Sequence, residues 1–266
     1  MEQASNSPVA IVTGAAGGIG YETAMLLSKQ AYRVVTCDLK PPSEPFSANS
    51  GWEHHIIADV RSVDDLSKVV ETASQLGTIR ALVNNAGVGL IKQVEEVSEE
   101  EWDRVLGINF KSAFFATKLV LPYMKKAGGG SIVNISSNAG IMPRAHDPVY
   151  SISKMALVAM TRSLALCLSG DNIRVNSVCP GPVSNTGMVN DELERCEDKK
   201  AAIKRVIDAC PLGAVQGRMI TTNEVAQSIA YLLSEAACMI TGTAITIDGG
   251  KSLGVPPANS WISNLD

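Results

Sequence analysis

Seven runs of apolar and β-branched residues recur along the chain: VAIVTG (9–14), RVVTCD (33–38), HIIAD (55–59), ALVNNAG (81–87), SIVNISS (131–137), IRVNSVCPG (173–181) and TAITIDGG (243–250). They are apolar along their length instead of at alternate positions, which suits strands buried on both faces. Stretches with apolar residues at helical spacing separate them, beginning with IGYETAMLLSKQ directly behind the first run. Several carry start signals: Ser62 before VDDLSKVVETA, Ser98 with Glu101, and Thr221 with Glu224, the last two being capping boxes. This alternation predicts one α/β domain over residues 1–266, a doubly wound, seven-stranded parallel sheet with helices on both faces.

The rhythm breaks between Ser184 and about Gln216, a polar segment rich in Asn, Asp, Glu, Lys and Arg. Its length reads as a mobile substrate lid at about 184–216. The tail at about 251–266 ends in GVPPANSWISNLD, whose Trp and Ile suit docking against a neighbouring subunit.

Composition narrows the field. No linker-like stretch divides the 266 residues, and 45% hydrophobic content supplies one large core. With 23 Lys+Arg against 27 Asp+Glu and no basic block, the chain shows no footprint for nucleic acid and no polybasic membrane anchor. The polar start MEQASNSP lacks the features of a signal peptide, and no run approaches the length of a membrane span, so a cytoplasmic protein is expected. Six cysteines (Cys37, Cys167, Cys179, Cys196, Cys210, Cys238) are scattered, with no close pair and no histidine at ligand spacing, so neither disulfides nor a metal site is expected. His54 and His55, beside the third strand, read as structural.

Candidate chemistry starts at TGAAGGIG, which closes the first strand and opens the first helix. Gly14, Gly18 and Gly20 there allow a tight turn through which a pyrophosphate reaches backbone N–H groups and a helix N-terminus. Asp38 ends the second strand, where a carboxylate can accept hydrogen bonds from both adenosine ribose hydroxyls. At about 4 Å and an effective dielectric near 20, a charge pair is worth about 4 kcal/mol, so Asp38 disfavours a 2′-phosphate and argues for NAD over NADP. Lys40, two residues on, neutralises part of that charge. In VYSISKMALVAM, Tyr150 and Lys154 stand one helical turn apart on one face. Hydride transfer at an alcohol carbon needs a group that exchanges the hydroxyl proton near neutral pH. Tyrosine alone is too weak a base; lowering its pKa by about three units takes roughly 4 kcal/mol, which a neighbouring ammonium helps supply. Ser137 lies thirteen residues before Tyr150, at a strand end on the sheet's ligand-binding edge. Ser136 is its rival, but strand side chains alternate, so only one of the two faces the site, and the thirteen-residue offset to Tyr150 selects Ser137.

The ordered set TGAAGGIG, NNAG (84–87), Asn109 in GINF, NISS (134–137), YSISK (150–154), PG (180–181) and DGG (248–250) resembles the short-chain dehydrogenase/reductase family across nearly the whole chain. The resemblance implies a Rossmann-type fold, with Gly17 in a slot that is often basic in NADP enzymes. It implies that Ile19 covers the pyrophosphate, that Leu39 follows Asp38 along the adenosine, and that Asp59 and Val60 meet the adenine. Asn84 holds strands together by this reading, while Asn85, Ala86 and Gly87 line the dinucleotide. Ser137 holds the substrate oxygen, Lys154 the nicotinamide ribose, and Asn109 a water relay beside Lys154. Pro180, Gly181 and Val183 cover the nicotinamide end. The family pattern PG-x-V-x-T puts Thr at 185, but this chain has Asn185 there and Thr186 one later, so either one binds the carboxamide or a local bulge restores the geometry. Homotetramers built on helices at 111–127 and 150–169, with Phe114 and Phe115 at the interface, are also implied.

Residues 138–149 link Ser137 to Tyr150 and so line the substrate cleft, making Asn138, Arg144 and His146 candidate substrate contacts. Arg144 suits an oxyanion clamp, although a loop arginine also serves as a solvated or subunit-bridging group. Met188 joins them from the lid, which mixes Val189 and Leu193 with Arg195, Lys199, Lys200, Lys204 and Arg205. The expected activity is hydride transfer between NAD(H) and a small-molecule secondary alcohol or its ketone: a sugar, a polyol or a small hydroxy compound. The alternatives are a 3-oxoacyl-[acyl-carrier-protein] reductase and, from another class, a non-catalytic NAD-binding sensor or scaffold. An enoyl reductase is disfavoured, since that branch separates its Tyr and Lys by six residues instead of three.

Overall fold

The computed structural model describes residues 7–30, 32–42 and 52–254. Its strands are β1 (Pro8–Thr13), β2 (Arg33–Asp38), β3 (Trp52–Ile57), β4 (Thr78–Asn84), β5 (Gly130–Ile135), β6 (Ile173–Pro180) and β7 (Ala244–Ile247). They form one sheet in the order β3-β2-β1-β4-β5-β6-β7, and every pairing is parallel. The order reverses between β1 and β4, which opens a crevice at the carboxyl ends of those strands.

Helices cover both faces. On one side α2 (Val63–Leu76), α4 (Ser112–Lys126) and α5 (Pro148–Leu168) bury Leu66, Val120, Met124 and Leu168 against the sheet. On the other, α1 (Gly18–Ser28) packs on α9 (Thr222–Leu233) over Leu27, Ile229 and Leu232. Each such side chain contributes roughly 1.5–3 kcal/mol by leaving water. The predicted caps are in place: Ser62 accepts from Asp65 N, and the boxes at Ser98 and Thr221 are complete, the former opening α3 (Glu99–Leu106).

Three expectations need correction. The third strand starts at Trp52, ahead of the apolar run, because the Trp52 indole is buried, donates to Thr36 Oγ1 (3.0 Å) and packs on Tyr21. The segment at 184–216 is largely helical: α6 (Gly187–Glu194), α7 (Lys199–Asp208) and α8 (Pro211–Gln216), with Asp198 capping α7 and Pro211 pre-setting the first turn of α8. By length and composition the helical stretch Pro148–Asp171 could cross a membrane, contrary to the reading of the chain; half of that window is buried in the fold, and apolarity there serves the core. In the tail, residues 255–266 lie outside the described residues.

Candidate active site

The glycine turn holds its shape for two separate reasons. Gly14 and Gly18 adopt φ of 67° and 58°, a region costly for residues with a Cβ. Gly14 and Gly20 are also tightly packed: a Cβ on Gly14 would lie 2.6 Å from Ala86 Cα, and one on Gly20 would strike the Gly14 carbonyl and sit 2.5 Å from Asn85 Nδ2. At Gly18 a Cβ would meet Thr186 Cγ2 at 3.5 Å, an ordinary contact, so it is the left-handed conformation that favours glycine there. No side chain caps α1 at Gly17, which leaves its first N–H groups facing the cavity.

Asn85 secures this turn to β4: its Nδ2 donates to Thr13 O (3.0 Å) and Gly14 O (2.7 Å), while the Asn85 and Ala86 N–H groups both donate to Thr13 Oγ1 (3.1 Å). Thr13 is a residue that the motif reading passed over. Asn84 binds neighbouring elements as expected, donating to Asn134 Oδ1 at 2.8 Å.

A cavity of about 1150 Å³ runs from this turn along the carboxyl edge of the sheet. At one end, Asp38 and the exposed Leu39 project from β2, and Asp38 Oδ2 accepts from Ala16 N (2.9 Å), so the acid also braces the turn. Asp59 and Val60 line the same end. Asp59 is already engaged: Arg61 Nε donates to Oδ1 (3.1 Å) and Oδ2 (3.0 Å) and Nη2 to Oδ2 (2.6 Å), and this pairing holds its carboxyl below the usual range. An adenine amino group would share that carboxylate with Arg61.

The chemistry-bearing residues converge at the cavity's centre. Tyr150 and Lys154 come from one face of α5 and are both almost wholly buried, and the Ser137 hydroxyl, just past β5, lies beside them on the cavity wall, donating to Asn138 Oδ1 (3.3 Å) and accepting from Ala139 N (3.1 Å). Lys154 Nζ donates to Ile135 O (2.8 Å) and lies 5.8 Å from the Tyr150 ring centroid. Ser136, also on the cavity wall, donates its hydroxyl to Lys154 O (2.8 Å). Asn109 lies in a π-helical turn, Gly107–Lys111, between α3 and α4, a distortion common at functional sites. Its side chain clasps Val88, accepting from N (2.8 Å) and donating to O (2.9 Å), and stands behind the cavity wall instead of in it. Gly87 fills the gap, since a Cβ there would lie 3.2 Å from Lys154 Nζ and 3.5 Å from Asn109 Oδ1.

The electrostatics differ from the sequence argument. Burial raises the Tyr150 phenol above its ordinary value, and the Ser137 hydrogen bond and then the Arg144 charge offset part of that. Burial also pushes the Lys154 ammonium down to about 8. Two cations therefore flank the phenol ring, Arg144 at 5.6 Å and Lys154 at 5.8 Å from its centroid, and the Arg144 charge lowers the phenol.

At the far end, Pro180, Gly181 and Val183 form the wall below β6, and Val183 bridges to Ile220. Asn185 takes a left-handed conformation (φ 59°) and does not line the cavity, whereas Thr186 does, its Oγ1 donating to Val183 O (2.9 Å). Asn138, Arg144, His146 and Met188 all line the cleft. The oxyanion clamp expected at Arg144 is filled from within the chain: its guanidinium meets Asp147 Oδ2 at 3.2 Å, Asn138 Oδ1 at 3.4 Å and Glu192 Oε1 at 3.8 Å. Sequence reasoning placed Met142 and Asp147 in the cleft stretch 138–149 without giving either a role, and Met142 lines the cavity. It missed Glu192, four residues after Met188, and Lys251 as lining residues.

The cradle fits a dinucleotide: an uncapped helix start beside the glycine turn, an acid at one end of an elongated cavity, and a buried phenol and amine at its centre. Fold and site together describe an oxidoreductase of the doubly wound dinucleotide-binding type. A family model described as "Enoyl-(Acyl carrier protein) reductase" matches residues 14–252. The 3-oxoacyl-[acyl-carrier-protein] reductase FabG of Thermotoga maritima is 36% identical over 248 residues, covering 91% of this chain and 96% of its own. The probable galactose dehydrogenase GalD of Rhizobium meliloti is 34% identical over 247 residues, 90% and 93% of the two chains. Among solved structures, ligand-free aldohexose dehydrogenase (AldT) of Thermoplasma acidophilum superposes with a TM-score of 0.86 at 31% identity, covering 96% of this chain and 97% of that one. The chain belongs to the short-chain dehydrogenase/reductase family, whose members are oxidoreductases using nicotinamide cofactors.

Proposed function

We propose that the protein is an NAD-dependent dehydrogenase that transfers a hydride between NAD(H) and a secondary alcohol or its ketone on a sugar, polyol or other small hydroxy compound. The observation that carries this reading is the meeting of Ser137, Tyr150 and Lys154 in one buried cluster on the dinucleotide cavity. When bound, the nicotinamide accepts or returns the hydride. Ser137 holds the substrate oxygen, and Tyr150 Oη takes the hydroxyl proton during oxidation or gives it during reduction. Lys154 anchors the nicotinamide ribose, with Asn109 supporting a water relay behind it. Since Lys154 loses its charge near pH 8 and Tyr150 is raised by burial, the phenol draws on Arg144, Ser137 and the cationic oxidised ring for its acidity.

Asp38 supports NAD over NADP, because a 2′-phosphate beside a carboxylate is repelled. Thr186, against Gly18 and on the cavity wall, is the residue we assign to the carboxamide. We also infer that α6 to α8 form the substrate lid. A homotetramer is inferred from α4 and α5, which carry the exposed Phe114 and Leu166, the latter 79% exposed. Titrating NADH and NADPH separately tests the cofactor; equal affinity would defeat the Asp38 argument and favour the oxoacyl reductase named among the relatives. A panel of alcohols and sugars assayed for NADH formation tests the reaction, and tight NAD binding without turnover of any of them would leave a sensor.

A further inference from the structure

Arg144 stands at the junction between the substrate cleft and the phenol. Its guanidinium carbon is 5.6 Å from the Tyr150 ring centroid, and its side chain is 20% exposed. Asp147, only 3% exposed at the start of α5, holds it from below at 3.2 Å, while Ser151 Oγ accepts from its backbone N–H at 3.1 Å. Glu192 reaches it from α6 at 3.8 Å and remains 36% exposed. The ion pair therefore spans the cleft, joining the loop before α5 to a helix on the opposite wall.

We propose that Arg144 and Glu192 are positioning residues for the Tyr150 phenol: the guanidinium seated against the ring favours phenolate, and Glu192, carried on α6, withdraws part of that positive charge. The proposal rests on the reading of Tyr150 as the proton-transfer group. Charges near the phenol come from every element around it: Lys154 on α5, Arg144 and His146 on the loop, Asp147 at the helix start and Glu192 on α6, with Ser137 past β5 as hydrogen-bond partner and Cys179 on β6 beside Lys154. Asp147 is the fixed counterion, buried and bonded to Ser151 Oγ at 3.3 Å. Glu192 is the adjustable one, because it is longer, more exposed and mounted on a separate helix. Whatever moves α6 away from the cleft leaves Arg144 with less negative charge and the phenol more acidic.

Phenolate absorbance reads this without a known substrate. The protein is titrated with pH in saturating NAD, and the Tyr150→Phe trace is subtracted to isolate one of five tyrosines. We expect Arg144→Gln to raise the midpoint by about one unit, Glu192→Gln to lower it by about half a unit, and Arg144→Lys to stay near the parent. A purely structural role for the pair would not move the two neutral variants in opposite directions. Unchanged midpoints, or shifts of the same sign, overturn the proposal. If the parent shows no phenolate below roughly pH 10, the proton-transfer reading itself fails, which is a different pattern. Glu192→Gln, at a half-exposed position, keeps the test decisive if Arg144→Gln does not fold.

Discussion

The two halves of the cavity are made of different material. In the cofactor half, the wall is backbone: glycines at 14, 18 and 87 let the chain approach a ligand closely, and Thr13 and Asn85 tie the turn to β4. In the substrate half, the wall is side chains on a loop and on α6 and α7, with Arg144, Asp147 and Glu192 neutralising one another. A backbone cradle depends on a few residue types that leave a mark in sequence, whereas a side-chain wall changes with each substitution and leaves no fixed pattern.

The comparison breaks most sharply where the halves meet. Tyr150→Phe is expected to reduce turnover about a thousandfold while cofactor affinity changes little, because it removes a proton carrier and leaves the cradle intact; steady-state rates beside an NADH binding titration check both. Gly14→Ala attacks the cradle alone. A Cβ there meets backbone at 2.6 Å in a left-handed conformation, so a loss of about 3 kcal/mol in stability, with cofactor binding lost too, is expected in denaturant unfolding and titration.

Lys154 gives a smaller effect with a defined sign. Its folded pKa, about 8, lies below that of an unfolded lysine, so between these values the unfolded chain holds more protons and stability rises with pH. From pH 8 to 9 the parent should gain about 1 kcal/mol relative to Lys154→Met, read from urea unfolding of both at each pH. Smallest of all, Asn185→Gly should stabilise by a few tenths of a kcal/mol, since the left-handed turn suits glycine, and it should leave NADH affinity unchanged because Asn185 does not face the cavity. A tenfold loss of affinity would return the carboxamide role to residue 185.

Much of this was legible in the chain. Seven apolar runs became seven strands, and the order of motifs along them named the family because each marks a strand end or helix start. The segment at 184–216 was not legible as helix, because its helices are short and their charges mask any apolar face. Nor does strand alternation reveal that the Ser136 hydroxyl is taken up by a carbonyl eighteen residues away on α5.

The sequence by itself determined the parallel sheet, the glycine turn and the face shared by Tyr150 and Lys154, all of which follow from local spacing and backbone sterics. Tertiary structure alone decided which charges surround the phenol. Burial weakens the lysine that the helix supplies, while packing brings an arginine six residues upstream onto the ring and a glutamate from another helix onto that arginine. Desolvation and through-space Coulomb terms depend on distances between elements, and no spacing along a single chain encodes them.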